Sequence, residues 1–398
     1  MRNPKSICLM VTSEITAVTF YKGYLQFLRR GGWDVTVVGS SSGRLEQLAE
    51  EEGVSAFNLA MQRDPAPAQD LRSLAQAVLF LWRAKPEVVV AATPKAGLLG
   101  MIAARLTGVP IRVYQLWGLR LETEHGLRRR IFTVLERLAC ALATQVVANS
   151  RSLAEEAIRL RLSPTVEVLG PGSSHGVDLA HFDPERVDIP PADQRTLDQI
   201  RGNREAIVIG YVGRVHRDKG VEILLEAVLL VAEKGRPITL LVIGPIEDDI
   251  LERRLSANLV PNLNIVMVGS VDDPRPYFLL MDIHVLPTRR EGFPNVVLEA
   301  AALGIPTITT LATGARDSVV HQTTGVLVPV DDPYSMSIEI ENLALDTAKR
   351  EEYSVKAKLH AAANFERTAI FRLQERNLTA LRAANISYRR PKTDGGAR

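Results

Sequence analysis

The chain has 398 residues, of which 46% are hydrophobic and 24% are charged. These fractions are close to those of soluble globular proteins, and they exclude fibrous, low-complexity and disordered classes. Lys plus Arg total 48 and Asp plus Glu total 46, and this formal charge of +2 is too balanced for a protein that binds by neutralising many nucleic-acid phosphates. The length exceeds what one hydrophobic core usually organises, so we expect two domains of about 190 residues each.

The cysteines and the N-terminal segment point to a cytoplasmic protein. Cys8 and Cys140 lie in apolar runs without metal-ligating neighbours, and we interpret both as buried thiols in a reducing compartment. The apolar run from Ile7 to Val11 is too short for a signal-peptide core. No run of about 18 apolar residues follows, so we expect no membrane-spanning helix, while attachment to the inner face of the plasma membrane stays open.

Short β-branched runs alternate with helical segments in the first half of the chain. Several of the runs are apolar on both faces, as is typical of parallel strands that helices cover on both sides. The predicted strands are 6–12, 34–38, 87–91, 111–115, 145–148 and 166–169. The predicted helices are 20–30, 70–83, 95–107 and 127–142. This alternation predicts one doubly wound α/β domain.

The alternation breaks in a turn-rich interval at 170–174 and 189–191, and then it restarts. The predicted strands of the second half are 207–212, 238–243, 264–268, 283–287, 306–309 and 326–328. We therefore predict a first domain over residues 1–188 and a second over 189–363, with the strand ends of both sheets around one cleft. Helical patterns continue to about Ala383, and residues 388–398 are predicted to form a disordered tail.

Two basic residues flank the turn that follows the strand over 207–212. Arg214 and Lys219 lie between Gly213 and a predicted helix start, where a guanidinium, an ammonium and backbone N–H groups can converge on one anion. A diphosphate suits this set of donors. Two solvated basic side chains on a loop are the alternative for this segment taken alone.

A second segment supplies two carboxylates. Residues 287–306 are predicted to be a strand end, a loop with Glu291, and a helix that starts near Pro294 and ends before Gly304. Glu299 follows Glu291 by eight residues, at most about 12 Å if the whole span is helical. One carboxylate can then reach a ribose and the other a sugar beyond a diphosphate, with the positive helix start beside the phosphates.

Together these motifs resemble the retaining glycosyltransferases of family 4. The resemblance rests on Gly213-Arg214 with Lys219-Gly220, on Glu291 and Glu299 separated by seven residues, and on Ala-x-Ala-x-Gly-x-Pro over 300–306. Three segments of the first half are similar to those of the branch that builds bacterial capsules, exopolysaccharides and lipid-linked oligosaccharides. They are 93–97, 118–123 and 172–178. The resemblance covers about residues 5–380. It implies the GT-B fold of two Rossmann-like domains, with a helix over 364–387 that crosses back to the first domain.

The resemblance also implies roles for the matching residues. Arg214 and Lys219 would hold the donor diphosphate and stabilise it as it leaves, and Glu291 would lie near the donor sugar. The other donor-binding residues would be Gly213, Val271, Gly292, Phe293, Pro294, Asn295, Val296 and Glu299, the last on the ribose. Acceptor contacts are expected from Glu14, Lys95, Trp117, Arg120 and Glu122. The chain departs from the family at Trp117, where many relatives have His, and at 13–16, where a Gly-Gly turn is usual.

The implied reaction is retaining transfer of a hexose or N-acetylhexosamine in cell-surface polysaccharide biosynthesis. The donor would be a nucleotide sugar, UDP-linked by analogy with the family, and the acceptor a lipid-linked saccharide. We expect no cofactor and no metal requirement, because Arg214 and Lys219 would balance the charge of the leaving diphosphate. A nucleotide-sugar epimerase of the same architecture and a non-catalytic nucleotide-sugar-binding protein are the alternatives.

The segment 127–142 combines an apolar stripe with basic residues. Apolar side chains recur there at helical spacing, and four arginines share the segment. The stripe consists of Leu127, Ile131, Val134, Leu135, Leu138 and Leu142, and the arginines are Arg128, Arg129, Arg130 and Arg137. This pattern is typical of a core-packed helix with a solvated basic face, and also of a helix that docks reversibly on the inner leaflet.

Overall fold

The computed structural model describes residues 5–62, 64–186, 188–201, 205–257 and 260–389, and it divides into two compact units. The first unit joins the chain up to His175 with the part that begins at Thr368. The second unit extends from Gly176 to Arg367. The chain thus leaves the first unit just after the predicted turn-rich interval at 170–174, earlier than the predicted domain end at residue 188.

The first unit is built on a parallel sheet of seven strands in the order β3-β2-β1-β4-β5-β6-β7. The strands are β1 (Lys5–Ser13), β2 (Trp33–Ser40), β3 (Ser55–Asn58), β4 (Val88–Ala92), β5 (Ile111–Leu116), β6 (Gln145–Ala148) and β7 (Glu167–Val168). The helices are α1 (Glu14–Tyr21), α2 (Tyr24–Arg30), α3 (Arg44–Glu52), α4 (Pro67–Ala84), α5 (Pro94–Leu106), α6 (Gly126–Leu142) and α7 (Arg151–Arg159). The central strand β1 aligns Ile7 with Val35 of β2 and Val88 of β4.

All six strands predicted for the first unit are present, and two details differ. The sheet has an additional edge strand, β3, whose outer residues Ser55 and Asn58 are exposed and give no apolar run to recognise. The helix predicted over 20–30 is two helices, α1 and α2. The break falls at Lys22 and at Gly23, which has a φ of 81° that favours glycine.

The second unit has a parallel sheet of six strands in the order β10-β9-β8-β11-β12-β13. The strands are β8 (Ile207–Val212), β9 (Ile238–Ile243), β10 (Leu263–Gly269), β11 (Ile283–Leu286), β12 (Thr307–Thr310) and β13 (Gly325–Val328). The helices are α8 (Gln194–Arg201), α9 (Val221–Glu233), α10 (Asp249–Leu255), α11 (Arg275–Phe278), α12 (Asn295–Ala302), α13 (Pro333–Leu345) and α14 (Thr347–Phe365). The strand order reverses between β8 and β11, and open α/β sheets bind ligands beyond the carboxyl ends of such a strand pair.

The last helix, α15 (Arg367–Arg389), packs in the first unit. Phe371 and Leu378 of this helix join a buried cluster with residues of β1, β2 and α2. The Phe371 ring lies 5.0 Å from the ring of Tyr24 and 5.7 Å from that of Phe27, measured between centroids. The predicted tail begins too early, because α15 includes residues 388 and 389. Residues 390–398 lie outside the described residues.

Both cysteines are free and buried, as predicted. Burial raises the pKa of each thiol to about 12, so neither is a reactive thiolate near neutral pH. Within the part of the chain that the structure describes, no helix is long and apolar enough to cross a membrane.

Candidate active site

The loops that follow β8 and β11 meet at the carboxyl end of the second sheet. The chain leaves β8 through a short 3-10 helix (Arg217–Lys219) and enters α9 at Gly220, whose φ is 66°. A Cβ atom on Gly220 would lie 2.1 Å from the carbonyl oxygen of Pro287, which follows β11. Glycine is therefore required here for the two loops to approach each other this closely.

Hydrogen bonds and ion pairs hold these two loops together. The backbone N–H of Arg289 donates to the carbonyl of Asp218 at 3.0 Å, and the Arg289 guanidinium pairs with Glu222 at 2.6 Å. Arg290 pairs with the carboxylate of Asp218. Burial alone would raise the pKa of Asp218, but the Arg290 guanidinium holds it below its ordinary value. These four residues were not among those predicted from the sequence, where their only signal was the opposite charge of the two segments.

Lys219 and Glu291 form a further ion pair between the two loops. The Lys219 ammonium lies 2.5 Å from a Glu291 carboxylate oxygen, and the two side chains are 20% and 14% exposed. A third loop supports Glu291, because its backbone N–H donates to the carbonyl of Thr313 at 2.8 Å. A Cβ on Gly314 would lie 2.4 Å from the Glu291 carbonyl oxygen, so this loop packs directly on the residue. The two predicted residues are thus brought together, and the supporting loop was not predicted.

Arg214 is oriented by the loop after β9. Its guanidinium pairs with Glu247 at 2.6 Å, and each side chain is 35% exposed. The hydroxyl of Tyr211 donates to the backbone carbonyl of Arg214 at 2.7 Å and fixes the chain at this point. An anion at this edge would compete with Glu247 for the guanidinium. Glu247 was not among the residues predicted from the sequence.

The helix α12 starts at the same edge of the sheet. Residues 292–295 are buried and Val296 is half-buried, and the Asn295 amide donates to the carbonyl of Gly176 at 3.4 Å. No described residue donates a hydrogen bond to the Glu299 carboxylate. Burial raises the pKa of Glu299 to about 7, and Arg367 opposes the shift. An ionised carboxylate only accepts hydrogen bonds, so Glu299 is available to receive them from two hydroxyl groups.

The remaining predicted donor residues lie at this edge as well. Gly213 follows β8, and its N–H donates to the carbonyl of Ile243 at 2.9 Å. Val271 follows β10, two strands away from β8, and packs half-buried against the core. Arg214 and Lys219 are each paired with a carboxylate here, and a bound anion would compete with Glu247 and Glu291 for them. Among the described residues, no group of three or more His, Cys, Asp or Glu is placed to hold a metal ion.

In the first unit, Lys95 and Arg120 are linked through Asp64. The Lys95 ammonium pairs with Asp70 at 2.7 Å and donates to the backbone carbonyl of Asp64. Arg120 pairs with the Asp64 carboxylate at 3.3 Å and with Glu124 at 3.5 Å. Lys95 is in the first turn of α5 after β4, and Arg120 follows β5, so both lie at the carboxyl end of the first sheet.

The other predicted acceptor residues have different surroundings. Glu14 accepts hydrogen bonds from the backbone N–H groups of Ser42 at 2.7 Å and Arg44 at 3.1 Å, and so caps the start of α3. Hydrogen bonds from Ser42 hold its pKa below the ordinary value. Trp117 stacks on Phe20 at 4.5 Å, and its buried indole N–H has no partner among the described residues. Glu122 is half-buried and ends the 3-10 helix after β5.

Comparisons with known proteins cover both units. A family model described as a glycosyl transferase 4-like domain matches residues 22–172, and one described as glycosyl transferases group 1 matches 206–346. The capsular polysaccharide biosynthesis glycosyltransferase CapM of Staphylococcus aureus is 37% identical over 88% of this chain and 90% of its own length. An Escherichia coli relative, named UDP-Gal:alpha-D-GlcNAc-diphosphoundecaprenol alpha-1,3-galactosyltransferase, is 27% identical over 75% of this chain and 77% of its own.

Solved structures match along nearly the whole chain. Anabaena Alr3699/HepE in complex with UDP and glucose has a TM-score of 0.74 at 21% identity, covering 95% of this chain and 100% of that one. Sucrose-phosphate synthase from Thermosynechococcus elongatus has a TM-score of 0.75 at 19% identity, with coverages of 96% and 100%. At these identities the likeness shows the fold.

Proposed function

We infer the reaction from the premise that the chain belongs to the group 1 glycosyltransferases, with the GT-B fold of two Rossmann-like domains. We propose that it transfers a hexose or N-acetylhexosamine from a nucleotide sugar to a lipid-linked saccharide. The observation that carries the proposal is the Lys219–Glu291 ion pair at the junction of the β8 and β11 loops. Membership of this family favours transfer over epimerisation and over binding alone.

The donor in this proposal is a nucleoside diphosphate sugar. Arg214 and Lys219 hold the diphosphate beside the N-terminus of α12, whose partial positive charge adds to theirs. Glu299 receives hydrogen bonds from the ribose hydroxyls, and Glu291 lies near the sugar, oriented by Lys219. The Escherichia coli relative is named for UDP-Gal as its donor, which supports uridine as the base here.

The proposed transfer retains the configuration of the sugar. The bond between the anomeric carbon and the diphosphate oxygen breaks, and a bond to an acceptor hydroxyl oxygen forms on the same face. The acceptor oxygen itself attacks the anomeric carbon, so no protein nucleophile is needed. Its proton passes to the departing phosphate oxygen. Negative charge grows on the diphosphate during this step, and cations already in place there stabilise the transition state more than the ground state.

The acceptor in this proposal is a saccharide on a lipid diphosphate, in capsular or other cell-surface polysaccharide biosynthesis. The names of the Staphylococcus aureus and Escherichia coli relatives support this class. In the first unit, Lys95 and Arg120 are the cations that would face such a diphosphate, replacing their contacts with Asp64. A lipid acceptor brings the reaction to the cytoplasmic face of the membrane.

Nucleotide-sugar binding followed by turnover tests the proposal. The purified chain is screened against nucleotide sugars by thermal shift, and stabilising donors are then incubated with lipid-linked saccharide acceptors. We expect a UDP-sugar to raise the melting temperature and UDP to be released only when acceptor is present. An epimerised sugar in the absence of acceptor, or binding without turnover, would contradict the proposal.

A further inference from the structure

The hydrogen-bond ladder between β8 and β9 continues past the ends of both strands. The N–H of Val215 donates to the carbonyl of Pro245 at 2.8 Å, and the N–H of Glu247 donates to the carbonyl of Val215 at 2.9 Å. Val215 and Ile246 form a parallel bridge between the two loops. The backbone therefore fixes where Arg214 and Glu247 lie, and their side chains meet at 2.6 Å.

The ion pair between Arg214 and Glu247 is not what holds these loops together. Each side chain is 35% exposed, and an ion pair that is open to solvent contributes little to stability. The backbone ladder already joins the loops. They also approach so closely that a Cβ atom on Gly244 would lie 2.0 Å from the carbonyl oxygen of Gly213. The ion pair can therefore open while the loops stay in place.

Glu247 differs from the other carboxylate that faces a donor cation. Glu291 pairs with Lys219, these side chains are only 14% and 20% exposed, and in the proposed function Glu291 lies near the sugar. Glu247 lies on the loop after β9, from which the proposed function takes no contact with the donor. Arg214 and Glu247 are also more open to solvent, so an anion reaches Arg214 without entering the interior. Glu247 is therefore a partner that Arg214 can leave and rejoin.

The charge of the diphosphate increases over the proposed reaction. Before transfer its terminal phosphate is esterified to the sugar. Afterwards the freed oxygen, once the acceptor proton has passed on to water, carries additional negative charge. The attraction between two charges is proportional to their product, so Arg214 would hold the diphosphate most strongly after transfer. The cation that stabilises the transition state thus opposes departure of the product, and turnover favours another partner for it.

We propose that Glu247 takes back the Arg214 guanidinium as the nucleoside diphosphate leaves, and so speeds release of the product. Donor binding breaks the Arg214–Glu247 pair, and product release restores it. Glu247 touches no reacting atom in this scheme and acts only through Arg214. The inference rests on the proposed function, because it takes the diphosphate to be the ligand of Arg214.

The change Glu247→Gln tests this role, because it removes the charge and keeps the size of the side chain. UDP should bind about two- to fivefold more tightly to the variant, since an exposed ion pair no longer competes for Arg214. Titration calorimetry measures the Kd, and stopped-flow displacement measures the rate of UDP dissociation, which should fall by a similar factor. In the transfer reaction the inhibition constant for UDP should fall likewise. A carboxylate that only supported the loop would give no such gain.

The change Glu226→Gln is the matched control. Glu226 on α9 pairs with Arg254 on α10 at 3.4 Å, and the two side chains are 45% and 44% exposed. The control removes the same charge from an exposed ion pair of the same unit, between two helices rather than at the donor loops. It should leave the Kd for UDP unaltered. The same gain in both variants would be an effect of net charge alone and would overturn the proposal.

An Arg214→Ala background separates competition for the guanidinium from direct repulsion of the ligand. There Glu247→Gln should no longer tighten UDP binding, because no guanidinium is released. An equal gain in both backgrounds, or a Kd for Glu247→Gln that is unchanged or higher, would overturn the inference. If the unchanged chain transfers sugar while Glu247→Gln is inhibited by UDP to the same degree, the inference falls and the proposed function stands. If the unchanged chain binds no UDP, the proposed function falls and the inference falls with it.

Discussion

Lys219 lies in the loop after β8 and pairs with Glu291 of the loop after β11. In the proposed function its removal should lower the rate of transfer. We predict that Lys219→Ala and Arg214→Ala each lower kcat by about 100-fold or more, because a charge-stabilising donor at a transition state typically contributes that much. Steady-state kinetics with saturating donor measures the effect. Lys234→Ala is the control. Lys234 is 51% exposed and lies away from the site, where its ammonium pairs with Glu341 at a distance of 2.6 Å. A loss no larger than that of the control would contradict the role.

Glu299 should make donor binding depend on pH. Its pKa is raised to about 7 by burial, so the ionised carboxylate that would accept hydrogen bonds from the ribose is lost as the pH falls through 7. We predict that the Kd for UDP rises by up to about tenfold for each pH unit below 7. Titration calorimetry measures this Kd from about pH 5.5 to about pH 8.5, a range that extends about 1.5 units on either side of the pKa.

The Glu299→Gln variant should bind more weakly at pH 8 and show a flat profile, since its amide does not titrate. Arg367 opposes the shift in Glu299, so Arg367→Ala should move the midpoint of the profile to higher pH. The assignment fails if the midpoint of the Kd–pH profile stays the same in Arg367→Ala and the slope stays the same in Glu299→Gln. A group other than Glu299 would then be the one that titrates.

Gly220 sets the distance between two structural elements, the turn after β8 and the end of β11. We predict that Gly220→Ala lowers the melting temperature and abolishes turnover, because its Cβ would lie 2.1 Å from a backbone oxygen that cannot move aside. Gly235 is the matched control: its φ is also positive, at 86°, but no atom lies within 4 Å of its Cβ position. Gly235→Ala should cost about 1 kcal/mol for the left-handed conformation alone and leave turnover intact. Equal effects of the two changes would contradict the close approach.

Strands were easier to predict than the direction in which helices face. Buried parallel strands such as β8 and β9 have apolar runs, and their bounds were predicted to the residue. The stripe of α6 has the same period whether it faces a core or the outside, and the interpretation of a core-packed stripe is wrong for Leu127 and Val134, which are 72% and 61% exposed. Which side is buried depends on contacts such as Glu136 with Tyr114, which lies on a strand 22 residues away in sequence. Periodicity therefore could not decide between the two interpretations.

Motifs placed Lys219 and Glu291 on two loops that the structure brings together, but they did not identify the residues that support these two. Lys219 and Glu291 were identified because each follows a predicted strand. Glu247 pairs with Arg214 only because β9 lies beside β8, and the Thr313 loop supports Glu291 only because β12 lies beside β11. Such pairs depend on strand order, and a single sequence contains no direct signal of it.

For the whole enzyme, we predict that transfer retains anomeric configuration and survives EDTA. The reason is that Arg214 and Lys219 of the proposed site would supply positive charge to the diphosphate from the protein itself. NMR of the first product formed tests the stereochemistry, and turnover after extensive chelation tests the metal requirement. Activity that disappears with EDTA and returns with magnesium or manganese would show that the two side chains are insufficient.

The route of the chain through its two units has a consequence for synthesis on the ribosome. Phe371 and Leu378 of α15 complete the cluster around Tyr24 and Leu25, yet they are translated after the entire second unit. Domains generally fold as they emerge, N-terminal part first. The second unit can therefore finish folding while the nascent first unit still exposes the apolar surface that α15 will cover. During that interval Tyr24 and its neighbours expose apolar surface that favours aggregation, and a chain terminated before α15 would keep this surface exposed permanently.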